Sequence, residues 1–242
     1  VGSEMCIRDS MTFMNVSAGN GIRSVLFTST NPHAGKTFVS TNLAMTFATT
    51  GKKVVIMDLD LRRRTFSKQM GHDGDTNGVS SYLSGSTELQ AIIRKSKLSE
   101  KLDIIYAGIQ PPNPSEMLLS QRMEELIAEL KLHYDYIIID STPAMAVADA
   151  IITDRLADLS IYVVREGLLD RRQLPDIERL YREKKFHNMA IILNGASSTK
   201  RHGYGYGYGY GYGYGLDEEE TTTKKGFWGK LCEWTRNKFQ KK

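Results

Sequence analysis

The chain has 242 residues, of which 40% are hydrophobic and 25% charged, with a formal net charge of +4; this ordinary globular composition is enough for one large α/β domain with tails. The mild charge gives no reason to expect a nucleic-acid partner, and two distant cysteines, Cys6 and Cys232, exclude a disulfide framework and fit a reducing compartment. No apolar run approaches membrane-spanning length, and the first residues lack a signal-peptide layout.

Residues 1–10, VGSEMCIRDS, show no hydrophobic period and resemble a translated sequencing adapter. They are set aside, and the domain is expected to run over residues 11–200, beginning near Met11 of a once longer chain. The first strong signal is SVLFTSTNPHAGKTFVSTN, from Ser24 to Asn42. Val25, Leu26, Phe27 and Thr28 read as a buried strand, Asn31-Pro32 breaks it, and a helical pattern starts at Lys36. The intervening His33-Ala34-Gly35-Lys36-Thr37 has the makings of a phosphate loop. Backbone N–H groups at a helix start face an anion, Lys36 adds a point charge, and the Thr37 hydroxyl is a Mg²⁺ ligand. The loop is a deviant Walker A, since Thr30 occupies the first glycine position. A plain strand–turn–helix with a surface lysine is the structural alternative.

Gly51 ends that helix, and Lys53 to Met57 reads as a second buried strand running into Asp58-Leu59-Asp60 and Leu61-Arg62-Arg63-Arg64. If the strand continues, Asp58 and Asp60 share a face, and two close carboxylates call for a cation, Mg²⁺ beside a phosphate loop. The other reading is a solvated turn opening a basic helix. Residues 71–101 read as loops and small helices. A strand is expected over Leu102–Tyr106, then one helix to about Leu132, capped by Asn113 or Ser115. Tyr134 to Asp140 is a continuous apolar strand ending in one carboxylate and followed by Ser141-Thr142-Pro143. This is the Walker B pattern, in which the Asp holds a metal; the alternative is a helix N-cap. Strands at 161–164 and 189–194 flank a helix from about Leu174 to Lys185. The alternation predicts an α/β fold, a doubly wound, mostly parallel sheet.

The character then changes. From Gly203 to Gly215 glycine alternates with Tyr204, Tyr206, Tyr208, Tyr210, Tyr212 and Tyr214, followed by Glu218-Glu219-Glu220. This stretch, 201–223, is expected to be a disordered tail, read either as a linker or as a presented array of phosphoacceptors. Residues 224–242 place Phe227, Trp228, Leu231, Trp234 and Phe239 among seven Lys/Arg and one Glu. That is a basic amphipathic segment, suited to an anionic membrane surface or to docking on a domain.

With Ala34-Gly35-Lys36-Thr37, Asp58-Leu59-Asp60-Leu61-Arg62, Pro111 to Glu116, Ile139-Asp140-Ser141-Thr142-Pro143 and the tyrosine tail together, the chain resembles the bacterial tyrosine kinases over about residues 20–215. More closely, it is similar to the cytoplasmic kinase domain of polysaccharide co-polymerases. The resemblance implies a P-loop NTPase fold and an ATP- and Mg²⁺-dependent, non-specific protein-tyrosine kinase. It implies that His33, Ala34, Gly35, Lys36, Thr37 and Phe38 bind phosphates, and that Asn194 reads the base. Thr37, Asp58 and Asp140 would serve the metal, and Lys36, Asp58 and Asp60 the transfer. The six tail tyrosines would be acceptors for a neighbouring copy, and a filled cluster, at roughly −1.5 to −2 per phosphate, would repel itself and weaken tail docking. Further implied partners are a membrane-embedded chain-length regulator or activator and a phosphotyrosine phosphatase, at the inner face of the bacterial plasma membrane, in control of capsular or exopolysaccharide synthesis. Two departures stand out: His33 where many members have glycine, and no legible N-terminal Glu/Arg interface motif. The rivals are a Min/Par-type regulatory ATPase with a membrane-binding tail, whose loop lysine would fall at Asn31, and a non-catalytic adaptor.

Overall fold

The structure is a computed structural model that describes residues 21–196. The segments expected at 1–10, 201–223 and 224–242, and Tyr204 to Tyr214 with them, lie outside the described residues.

Seven strands make one sheet: β1 (Ser24–Ser29), β2 (Val54–Asp58), β3 (Ile93–Lys95), β4 (Leu102–Ile105), β5 (Tyr136–Asp140), β6 (Leu159–Arg165) and β7 (Met189–Asn194), in the order β3-β4-β2-β5-β1-β6-β7. All neighbours are parallel except β3 and β4. The continuous Val/Ile runs explain this, because a strand covered by helices on both faces has no polar side to show. Alternation along β1 sends Val25 and Phe27 to one face and Leu26 to the other. On the first face α1 (Lys36–Thr49) packs Val39, Leu43, Phe47 and Ala48 against β2 and β5, with Phe47 stacked on Tyr136 at 4.3 Å. On the second, α6 (Gln121–His133), α7 (Asp149–Asp154) and α8 (Leu174–Arg182) bury Met123, Leu126, Leu130, Ala150, Ile177 and Leu180. The expected doubly wound α/β architecture is the one observed.

Two expectations are corrected. The single helix after Pro111 is two, α5 (Pro114–Leu119) and α6, because Ser120 is extended at ψ 152° and its hydroxyl donates to the Met117 carbonyl at 2.7 Å. A short hydroxyl competes in this way with helical backbone bonds. Asn113 stands at the start of α5 with Pro114 in its first turn, while Ser115 lies inside the helix and caps nothing. After α2 (Thr65–Gln69), the stretch 71–101 forms β3 beside the two short helices α3 (Val79–Leu83) and α4 (Leu89–Ile92). This antiparallel edge strand holds one apolar residue and two exposed cations, so it carries no period. Among the described residues no helix is long and apolar enough to cross a membrane.

Because β1, β2, β5, β6 and β7 are parallel, their carboxyl ends share one edge of the sheet. That edge carries Ser29, Asp58, Asp140, Arg165 and Asn194. Ligands of open α/β sheets bind at this edge.

Candidate functional site

The loop from β1 to α1 crosses the edge with two left-handed residues, His33 at φ 64° and Gly35 at φ 97°. His33 explains itself: the position demands a left-handed backbone, which glycine meets without cost and which histidine meets more often than most residues. Its side chain is exposed, and its carbonyl accepts a hydrogen bond from the Arg165 guanidinium at 3.0 Å. Gly35 then turns the chain into α1, where the N–H groups of Lys36, Thr37 and Phe38 have no intrahelical acceptor. The Ala34 carbonyl is held by the Asn194 amide at 2.9 Å. Asn194 fits so closely that a Cβ on Gly35 would stand 2.1 Å from its Nδ2. The loop is therefore clamped from β6 and β7 before any ligand arrives, a preorganised cradle for an anion.

Lys36 arches back to Ser29, donating to its Oγ at 3.3 Å. Burial pushes its ammonium below the usual lysine range, opposed by Asp140 and Asp60 and reinforced by Arg63. Thr37 donates its hydroxyl to Asp140 Oδ2 at 2.5 Å, joining the start of α1 to the end of β5.

Asp58 and Asp140 are register partners across β2 and β5, and both are almost wholly buried. Burial, then the neighbouring Asp140 charge, pushes Asp58 up to about 7. The strand does not continue to Asp60. Asp58 Oδ1 accepts the Asp60 N–H at 3.0 Å, which turns the chain, and Oδ2 accepts the Ser67 N–H and hydroxyl at 3.0 and 2.7 Å. Asp60 in turn accepts the Arg63 N–H at 2.9 Å and the Thr65 hydroxyl at 3.2 Å. The two carboxylates meet through this turn rather than through strand alternation.

Asp140 differs in one respect. Its Oδ1 is buried with no hydrogen-bond partner. Buried carboxylate oxygens are almost always satisfied, so an orphan beside a threonine hydroxyl and a phosphate loop fits a hard cation. No cluster of three or more His, Cys, Asp or Glu able to hold a metal occurs among the described residues. A cation here would complete its shell with phosphate oxygens and water, as Mg²⁺ does.

Burial also raises Asp140, from 3.8 to about 6, against the opposing Lys36 charge and Thr37 hydrogen bond. Between those values the folded chain holds a proton that the unfolded chain has released, so this group's contribution to stability falls as pH rises through that window. Asp140→Asn keeps an acceptor for Thr37 and removes the cost of ionisation, on the order of 2–3 kcal/mol. The nucleotide-free variant is expected to match wild type near pH 4 and to melt several degrees higher at pH 8. Thermal unfolding across that range checks it, and a constant offset would count against a buried, ionising Asp140.

Sequence reasoning missed the supports of this site. Arg62 Nε reaches Asp149 Oδ2 at 2.6 Å, and its NH2 reaches Ser115 Oγ at 2.8 Å. Ser115 also donates to Asp149 at 2.7 Å, so the turn after β2, the start of α5 and α7 are tied through one buried carboxylate. Arg64 meets Asp73 at 3.0 Å. Arg165 and Ser67 were equally invisible, since Arg165 acts on His33 from across the chain and Ser67 acts on Asp58 through a turn that no spacing encodes.

Comparison with known proteins places these features in context. The AAA domain family matches residues 27–164. Tyrosine-protein kinase YwqD of Bacillus subtilis is 35% identical over 198 residues, covering 82% of this chain and 82% of its own. A protein named as a candidate tyrosine-protein kinase in the cps region of Klebsiella pneumoniae is 35% identical over 199 residues, 81% of this chain but only 27% of that protein. Among solved structures, the kinase domain of the Escherichia coli tyrosine kinase ETK superposes with a TM-score of 0.74 at 33% identity, covering 84% of this chain and 80% of that one.

Proposed function

The chain belongs to the bacterial tyrosine-protein kinase family, and from that premise we propose that it transfers the terminal phosphoryl group of ATP to Tyr204, Tyr206, Tyr208, Tyr210, Tyr212 and Tyr214 of a neighbouring copy. The observation that carries this reading is the meeting of Lys36, the start of α1 and the orphan Asp140 oxygen at one sheet edge.

The geometry supports the following roles. The N–H groups from Gly35 to Phe38 take the phosphates, and Lys36 lends its charge where negative charge builds in transfer. Thr37 and Asp140, with Asp58 beside them, would hold Mg²⁺, which neutralises phosphate charge when bound. Asn194, held against the loop through the Ala34 carbonyl, would read the base. The acceptor phenol forms a bond to the terminal phosphorus, the bond to the bridging oxygen breaks and leaves its pair on ADP, and the Asp58–Asp60 carboxylates take the phenolic proton.

A larger setting completes the proposal: a membrane-embedded chain-length regulator, a phosphotyrosine phosphatase as antagonist, and control of capsular or exopolysaccharide synthesis at the inner face of the plasma membrane. The Min/Par rival would want a lysine at position 31, where this chain has Asn31, whose amide donates to Gln173 at 3.3 Å.

Intact mass before and after incubation with Mg-ATP tests the proposal. Additions of phosphate mapping to Tyr204 through Tyr214 are expected. ATP hydrolysis without incorporated phosphate would overturn the kinase reading in favour of a regulatory ATPase.

A further inference from the structure

The carboxyl edge of the sheet holds the site, and the opposite, amino edge has a character of its own. Lys52 and Lys53 lead into β2, Lys101 leads into β4, and Lys95 ends β3 with Lys97 in the turn beyond it. All five are exposed. The fold gathers them, since the Lys101 carbonyl accepts the Val54 N–H at 2.9 Å and Lys95 is the register partner of Asp103 in β4. Two of the carboxylates among them serve the fold. Asp103 is buried and accepts the Lys95 ammonium at 2.9 Å and the Tyr134 hydroxyl at 2.7 Å, and Asp135 accepts the Lys53 N–H at 2.8 Å. Glu100 stands in the same turn as Lys97 and Lys101.

The same edge carries an apolar side chain in water. Leu132, in the last turn of α6, is 75% exposed, more than any other large hydrophobic among the described residues. It lies outside the buried stripe of that helix, which is Met123, Leu126, Ile127 and Leu130. Three residues further on, the Asp135 N–H donates to the Lys53 carbonyl at 2.8 Å, so Leu132 stands within about 10 Å of backbone bonded to Lys53. Because β3, β4, β2 and β5 are neighbours in the sheet, lysines and leucine share one patch about 15 Å wide. Like charges held together call for an anionic partner, and a leucine among them calls for an apolar one. The boundary of an anionic bilayer offers both, whereas a purely acidic partner would leave Leu132 in water.

We propose that the amino edge of the sheet, through Lys52, Lys53, Lys95, Lys97, Lys101 and Leu132, seats the domain on an anionic lipid surface. The lysines meet headgroup phosphates, and Leu132 enters the layer between headgroups and acyl chains. Strands β2 and β5, five residues each, then hold the site roughly 17 Å from that surface, with the phosphate loop facing away from it. None of these residues belongs to the transfer site, and lipid binding needs no phosphoryl transfer.

The experiment uses the full chain with Trp228→Phe and Trp234→Phe, which removes both native tryptophans, and adds Leu132→Trp so that one indole reports on this edge alone. The probes are vesicles of phosphatidylcholine, alone or mixed with phosphatidylglycerol. On the mixed vesicles the emission is expected to shift to the blue and to be quenched by brominated acyl chains, and on the neutral ones to stay unchanged. Adding Lys97→Glu and Lys101→Glu is expected to weaken binding at least about tenfold, as is high salt, while the thermal midpoint and the affinity for ADP hold. Vesicle binding that leaves the indole emission unchanged would put the contact in residues 224–242 and overturn the proposal. Binding that ignores the charge reversals would overturn it too. So would charge-sensitive binding to a glutamate-rich peptide without any response to vesicles, which would assign this edge to an acidic protein partner.

Discussion

Lys36→Met is expected to lower phosphate incorporation into the tail roughly a hundred- to a thousandfold while leaving a folded protein. Inside the folded chain Lys36 is only lightly engaged. Its single hydrogen bond, to Ser29 at 3.3 Å, is long, so little of its charge is spent on the protein. Burial already works against the charged form, and the site keeps Asp140 and Asp60 near to sustain it. That arrangement is costly for stability and useful only to an anion. Methionine matches the length of the alkyl stem and packs in its place, so the loss falls on transfer. It also removes the charge that holds Asp140 down, so that carboxylate rises further. Intact mass over time reads the result directly. Incorporation within tenfold of wild type would remove Lys36 from the machinery.

The second large effect comes from a residue with no side chain. Gly35→Ala is expected to abolish measurable nucleotide affinity, a loss of at least about a hundredfold, and to destabilise the domain by about 1–3 kcal/mol. Two costs combine. A φ of 97° strains any L residue, and the new methyl would sit 2.1 Å from the Asn194 amide. Asn194 must swing away, and the Ala34 carbonyl then loses its donor. Adding Asn194→Ala to Gly35→Ala separates the two terms. The clash disappears and the strain stays, so stability should recover in part while nucleotide affinity does not. Calorimetric titration with Mg-ADP, beside thermal unfolding, checks both arms. Full recovery in the double variant would mean that backbone strain contributes nothing.

What the sequence reveals of this molecule follows from range. The strands at Val25–Thr28, Val54–Met57 and Tyr136–Ile139 declare themselves because parallel strands buried on both faces must be continuously apolar. Lys36, Thr37 and Asp140 are legible for the same local reason: each sits at the junction of such a run with a polar turn. Ser120 is not legible as a break, because its effect depends on a hydroxyl choosing the Met117 carbonyl. Strand β3 is hidden because its pairing with β4, not its own three residues, makes it a strand. The site shows the same division. Asp58 and Asp60 are visible as a pair, yet how they meet is set by Ser67, Arg63 and Thr65, whose roles no spacing encodes. The clamp on His33 by Arg165 spans the sequence from β1 to β6 and leaves no local trace.

The Asn194 clamp also dictates an order of events during synthesis. The residue that shapes the loop at Ala34 and Gly35 is the final residue of β7, the last strand among the described residues, 160 positions after Ala34. A ribosome therefore releases the phosphate loop long before it releases the side chain that fixes it, and such non-local closure is slow. The six tyrosines from Tyr204 to Tyr214 follow Asn194 in the chain and are made later still. An interrupted polypeptide ending before β7 therefore holds neither the finished loop nor the tyrosine-rich tail.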